Sequence, residues 1–229
     1  MNKTYSIAID GPSAAGKSSL AKRCAAAFGF IYVDTGAIYR TVGLAALQND
    51  IDRKDSAAIE QLLPRLTIEI AYQENGEQRM ILNGSDVSRE IRMPEISICA
   101  SDVSSLPLVR EYLLAMQRSF AEKYNVIMDG RDIGTVVLPN ADLKIFLTAS
   151  AEARAVRRLK ELKEKGIESD YEAVLADIQY RDHQDSNRSS APLKQAEDAV
   201  LLDTTDLTFD ESFSALSQII IEKLCLLAD

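Results

Sequence analysis

Apolar residues along this chain follow two rhythms, and the places where the rhythm changes outline a fold. The run YSIAI is short and apolar. It gives way to a glycine-bearing loop and then to SSLAKRCAAAF, whose apolar positions recur at helical spacing, so strand, loop and helix are predicted in that order. FIYV predicts a second strand and GAIYRTVGLAALQ a second helix. From about residue 66 the pattern alternates: TIEIAYQENGEQRMILNG reads as strands joined at Asn75-Gly76, a strong hairpin signal. A small antiparallel insert is therefore expected over 67–104. Pro107 then opens a helix to about Lys123. VIMDG and LKIFLTA have the character of buried parallel strands. Two long polar helices follow at about 150–165 and 170–187, then a last strand, AVLLDT, and a closing helix, SFSALSQIIIEKLCLL. Strands alternating with helices predict an α/β fold, a doubly wound parallel sheet flanked by helices. The core would span 1–66 and 105–229, with the insert between them and a short helical lid over 154–168, where the polar, glycine-ended KELKEKG lies.

Bulk properties exclude several classes. With 229 residues, 46% hydrophobic and 27% charged, the chain can bury a full core without any apolar stretch approaching a membrane span. A net charge of −9 and a pI near 4.8 repel nucleic acid over most of the surface, so any bound anion must meet locally concentrated Arg or Lys. Cys24, Cys99 and Cys225 are far apart and read as buried thiols in a reducing compartment. One histidine, His183, excludes a His-based zinc site. The opening apolar run is too short for a signal peptide, so a cytoplasmic location is expected. The closing IIIEKLCLL reads as core rather than interface, and a monomer is expected.

The first loop carries the clearest chemistry. Gly11, Pro12, Ser13, Ala14, Ala15 and Gly16 form a turn, and Lys17, Ser18 and Ser19 open the helix, giving the spacing of a phosphate-binding loop. Glycines let backbone N–H groups turn inward around phosphate oxygens, and the helix presents its positive end to the same anion. Lys17 would reach the β- and γ-phosphates of ATP, and the Ser18 hydroxyl would ligate Mg2+. Asp129 ends the apolar strand VIMDG, where a Walker-B-type carboxylate would face the metal. A motor, a GTPase or a kinase would all fit these features. A GTPase should carry an Asn-Lys-x-Asp motif after a late strand, and none is present; a helicase is expected to need more chain.

Arginine placement separates the rest. Arg181, Asp185 and Arg188 lie at i, i+4 and i+7 and would form one helical stripe, a carboxylate between two guanidiniums. Arg154, Arg157 and Arg158 form another cluster, Arg40 ends DTGAIYR, and Arg131 lies in DGRD just beyond a strand end. Arginine suits bidentate phosphate contact, and several on the ligand-binding rim of an α/β sheet suggest two phosphorylated ligands.

Together GPSAAGKS, DTGAIYR, DGRDIGTVV and RDHQDSNRSSAPL resemble the bacterial cytidylate kinases almost end to end, the insert included. The resemblance implies transfer of the γ-phosphate of ATP, with Mg2+, to CMP or dCMP, and it sets the chain apart from the shorter eukaryotic UMP/CMP type. It places Thr35, Tyr39 and Arg40 in the monophosphate pocket, with Thr35 standing where the family often has serine. It assigns cytosine reading to Ser101, Arg110 and Asp132, and ribose and phosphate binding to Arg181 and Asp185, with Arg188 and Arg131 nearby. Catalysis would fall to Lys17, Arg131, Arg181 and the lid arginines Arg157 and Arg158. Without it, Ser101 is a plain helix residue and Arg110 a surface charge. The alternatives on the same core are a kinase of UMP or shikimate, or a nucleotide-dependent switch without turnover.

Overall fold

The computed structural model describes residues 4–225 apart from 75, 165 and 189. Five strands, β1 (Ser6–Asp10), β2 (Ile31–Asp34), β6 (Val126–Gly130), β7 (Leu143–Thr148) and β8 (Val200–Asp203), form a parallel sheet in the order β2-β6-β1-β7-β8. Their side chains alternate between two apolar clusters, as strands buried on both faces must. Ala8, Val33, Val126 and Met128 enter one cluster, and Ile7, Ile9, Tyr32, Ile127 and Ile145 the other. Helices α1 (Lys17–Phe28) and α8 (Phe209–Leu224) cover the second face. Helices α2 (Thr35–Gln48) and α5 (Pro107–Lys123) cover the first. The doubly wound α/β core is thus as expected.

The insert carries β3 (Ile68–Tyr72), β4 (Gln78–Leu82) and β5 (Ser85–Asp86) in a small antiparallel sheet. Gly76, at φ +77°, sits in the connection between the first two; its hairpin partner Asn75 lies outside the described residues. The strand pattern does not run on to residue 104. Residues Pro94–Ser104 fold instead as helix α4, with Ile96, Cys99 and Val103 buried at i, i+3 and i+7, a spacing only a helix brings to one side. Helix α3 (Ser56–Leu62), capped by Asp55, was not anticipated either. The insert has no core of its own: Met80, Leu82, Ile96 and Cys99 belong to the same cluster as Val33 and Met128. It is also pinned to the exposed edge of β2. Gln78 Oε1 accepts the Asp34 N–H at 2.8 Å, and the Tyr72 hydroxyl donates to the Tyr32 carbonyl at 3.0 Å.

Helices α6 (Ala151–Glu164) and α7 (Tyr171–Asn187) behave differently. Ala155, Leu162, Val174 and Ile178 form a separate apolar cluster between them, against which Ala14 of the first loop packs. Cys24 and Cys99 are buried, but Cys225 is exposed: it ends α8 at φ +52°, past the apolar face, so the expectation of three buried thiols fails there. Among the described residues no helix is long and apolar enough to cross a membrane.

Candidate active site

A parallel sheet sends all its strand C-termini to one edge, and here that edge carries Asp10, Asp34, Asp129 and the loops that follow them. The loop after β1 needs its glycines. A Cβ on Gly11 would lie 1.9 Å from the Leu147 carbonyl oxygen, and Gly16 adopts φ +91° to turn the chain into α1. Pro12, Ala15 and Lys17 are buried, while Ser18 and Ser19 are exposed at the helix start. Lys17 Nζ donates to the Pro12 carbonyl at 2.7 Å. Burial, reinforced by Arg131, pushes its pKa down to about 7, against the pull of Asp129, Asp185 and Asp10.

A polyanion in the loop restores the missing charge, which gives a measurable linkage. Nucleotide binding at pH 8 should take up close to one proton, and affinity should fall as pH rises above about 7, by up to tenfold per pH unit. Calorimetric titration of ADP in buffers of different ionisation enthalpy checks this: a slope near zero, or one retained in Lys17→Met, contradicts it.

Asp129 is held by two hydroxyls. Ser18 Oγ donates to Oδ2 at 2.8 Å, and the Tyr32 hydroxyl to Oδ1 at 2.7 Å. Burial, then Asp34, raises its pKa. The Ser18–Asp129 pair is the oxygen donor set a divalent cation shared with nucleotide phosphates requires, so the residues present fit Mg2+. Among the described residues no group of three or more His, Cys, Asp or Glu is placed to hold a metal ion.

The facing wall is built on the turn after β6. Asp10, buried at the end of β1, accepts the N–H groups of Ile133 and Gly134, both at 2.7 Å. Burial lifts its pKa to about 6 in spite of these bonds. The wide helical turn Ile133–Val137 that it holds fixes Arg131 and Asp132 just upstream. Asp132 is buried and receives Arg110 Nη2, with Arg188 3.7 Å away; Arg110 also donates to the Ser104 carbonyl at 3.2 Å and lies 5.4 Å over the Tyr39 ring. Arg110 is therefore buried, not the surface charge its local sequence suggests. Ser101 is exposed on α4.

The arginine stripe is resolved differently from its spacing. Helix α7 stops at Asn187, so Arg188 is an extended capping residue and leaves the stripe. Asp185 does lie between two guanidiniums, but they are Arg131 at 2.6 Å and Arg188 at 3.8 Å. Burial opposes its ionisation, but Arg131, together with Arg188 and Lys17, holds the carboxyl below its ordinary range. Arg181 pairs with Asp177 at 3.0 Å on the same helix, partly exposed. Arg40 is held by Asp34 at 2.8 Å, with Arg92 at 3.9 Å from the same carboxylate. Thr35 is buried and its hydroxyl donates to the Asp129 carbonyl at 2.7 Å, tying the start of α2 to β6.

Of the arginines on α6, Arg154 reaches the phosphate loop: it donates to the Ser13 carbonyl at 3.1 Å and forms a bidentate pair with Asp182 at 2.9 and 2.6 Å. Arg157 turns to the Thr204 and Leu207 carbonyls, and Arg158 pairs with Glu161 at the surface. Sequence reading passed over Asp10, Tyr32, Asp34 and Arg92. Asp10 had one available signal: it is the carboxylate ending an apolar strand immediately before Gly11.

Among the described residues, Arg40 Nε, Arg79 Nε, Gln117 Nε2, Thr135 Oγ1 and Arg188 Nη2 are buried without a hydrogen-bond partner, although Arg188 Nη2 lies 3.7 Å from Asp132. Of these, Arg40 and Arg188 lie with Arg131 on the sheet edge that carries the loop, and guanidiniums there suit an anion. A phosphate-binding loop and a separate arginine rim on one sheet edge define a phosphate-loop phosphotransferase. A family model described as Cytidylate kinase matches residues 7–222. Cytidylate kinase of Lactobacillus johnsonii is 49% identical over 223 residues, 97% of this chain and 96% of that one. Cytidylate kinase of Caldicellulosiruptor bescii is 51% identical over 209 residues, 91% of this chain and 92% of that one. A crystal structure of an uncharacterized protein from Eubacterium ventriosum shares the fold, with a TM-score of 0.50 at 12% identity, covering 97% of this chain and 99% of that one. The chain belongs to the cytidylate kinase family, and it is an ATP-dependent phosphotransferase.

Proposed function

We propose that the chain transfers the γ-phosphoryl group of ATP to the 5′-phosphate of CMP or dCMP, with the phosphate loop as donor site and the Arg110–Asp132 wall as the acceptor's base site. The observation that carries this reading is the phosphate loop sharing one sheet edge with a second set of guanidiniums, Arg40 on Asp34, Arg131 on Asp185 and Arg188 beside Asp132, among the residues assigned to the acceptor. An acceptor phosphate with a second pKa of about 6 is largely dianionic at neutral pH, so no general base is needed. The task is to bring two polyanions into line. Lys17 and Arg131 neutralise the approaching oxygens; Asp185 orients Arg131, and Asp10 fixes the turn that carries it. Ser18 and Asp129 would hold Mg2+, which when bound neutralises charge on the β- and γ-phosphates.

Residues 67–104 serve as the monophosphate-binding insert of a core spanning 1–66 and 105–229. Residues 154–168 serve as the lid. Helices α6 and α7 share an apolar cluster of their own and meet the phosphate loop through Arg154, so they can close as a unit over the donor and exclude water. In that closed arrangement Arg157, Arg158 and Arg181, which now face other partners, are the arginines available to the phosphates. Ser101 contributes to the base site from α4. The protein works as a cytoplasmic monomer.

A panel of acceptors in a coupled ADP-release assay tests the reading. CMP and dCMP should turn over well, while UMP and shikimate turn over poorly. Tight nucleotide binding with no ADP release from any acceptor would instead mean a switch module.

A further inference from the structure

Tyr32 looks like a core residue. It lies in β2 with its ring in the apolar cluster on the α1 side and 4% of its surface exposed. A purely apolar role leaves its hydroxyl unexplained. A phenol buried this deeply needs a partner, and the one it has is Oδ1 of Asp129 at 2.7 Å. The other oxygen of that carboxylate takes the Ser18 hydroxyl at 2.8 Å. One donor on each oxygen fixes the carboxylate in a single orientation. The two donors are not equivalent: Ser18 stands exposed at the start of α1 and would be shared with a cation, while the Tyr32 hydroxyl is buried and directed at the carboxylate.

The residue is itself held in three ways. Its ring lies in the apolar cluster that includes Ile9, Ile127 and Leu20, its backbone carbonyl accepts the Tyr72 hydroxyl of the insert at 3.0 Å, and Lys22 Nζ sits 5.6 Å over the ring. A donor anchored in this way can direct a carboxylate without moving when ligands enter. Groups behind metal ligands orient them in this manner, and their loss typically weakens metal affinity by about 10–100-fold.

We propose that Tyr32 is a positioning residue for the divalent cation, holding Asp129 where it meets the ion carried by Ser18 and the nucleotide phosphates. This rests on the reading of Ser18 and Asp129 as the cation site. The test uses Mn2+ and β,γ-imido-ATP, measuring by calorimetry how much the metal strengthens nucleotide binding to wild type, Tyr32→Phe and Asp129→Asn. Tyr32→Phe removes one hydroxyl and keeps the ring, so its thermal unfolding should stay cooperative. The expected result is a metal enhancement reduced by about tenfold or more in Tyr32→Phe, with metal-free affinity unchanged. In turnover, the Mg2+ concentration for half-maximal rate should rise while the rate at saturating Mg2+ recovers; a merely structural defect would not be rescued by metal. A wild-type enhancement in Tyr32→Phe alongside a reduced one in Asp129→Asn would overturn the role of Tyr32 alone. Wild-type enhancement in both variants would overturn the cation site and this inference with it. A parallel fall in metal-free affinity would also overturn it.

Discussion

Lys17→Met should lower kcat by about 10³-fold or more while leaving a protein at least as stable as wild type. The catalytic half follows from where the lysine sits. Its Nζ reaches the Pro12 carbonyl from inside the loop, within the field of Arg131, Asp129, Asp185 and Asp10. A charge placed beside the transferring phosphoryl group is worth most where water is excluded, and losing one preorganised donor costs about 10²–10³ in kcat, with larger losses for cationic groups in phosphoryl transfer.

The stability half follows from the same burial. Pushing the lysine from 10.5 to about 7 costs the fold on the order of 4 kcal/mol near neutral pH. Because its pKa is lowered on folding, this penalty is fully present below about pH 7 and fades as pH rises toward 10.5. Methionine carries no such penalty, though Asp129, Asp10 and Asp185 lose a neighbouring cation, which offsets part of the gain. Thermal unfolding should therefore place the variant's Tm at or above wild type at pH 7, with the difference shrinking toward pH 10. ADP release measured with CMP supplies the other arm. Near-normal turnover would remove Lys17 from the mechanism. A Tm well below wild type would mean that the lysine is a structural contact, not a buried charge kept for catalysis.

That contrast explains what the sequence could and could not disclose. The phosphate loop was legible because its requirement is local: consecutive backbone groups must turn around an anion, and only glycines at fixed spacing permit it. The parallel strands were legible because burial on both faces leaves unbroken apolar runs. Helix α4 was misjudged although Ile96, Cys99 and Val103 carry helical spacing, because the alternating strands before it set the expectation. The arginine stripe failed at its end, where α7 stops one residue before Arg188 and frees that side chain to reach Asp132 and Asp185. Asp10 and Tyr32 lie beyond any local reading. The partners of Asp10 are 123 and 124 residues away and that of Tyr32 is 97 away, and each sits in a run whose pattern says only that it is buried. What turns such residues into site components is the strand order, which sets β1 between β6 and β7 and β2 beside β6.

On the proposed reading, the choice of base rests with Asp132 and Arg110, a pair that only the folded chain brings together. Cytosine presents an amino group at N4 and acceptors at N3 and O2, whereas uracil presents an acceptor at O4 and an N–H at N3. An ionised carboxylate only accepts and a guanidinium only donates, so Asp132 and Arg110 complement cytosine and mismatch uracil at two positions. Both side chains are buried, and Arg110 is fixed by Asp132, the Ser104 carbonyl and the Tyr39 ring, so neither can turn away from the wrong base without leaving a charge unpaired. Mispaired buried polar groups can discriminate by about 10⁴ in a closed site, and wild type should favour CMP over UMP by at least about 10²-fold in kcat/KM. Asp132→Asn keeps the shape and adds a donor that uracil O4 can use. The variant should lose CMP turnover steeply, hold or gain UMP turnover, and bring the two within about tenfold of each other. Steady-state kinetics with both acceptors at saturating ATP measures the ratio. If it stays at the wild-type value, Asp132 does not read the base and serves only to hold Arg110 and Arg188 in place.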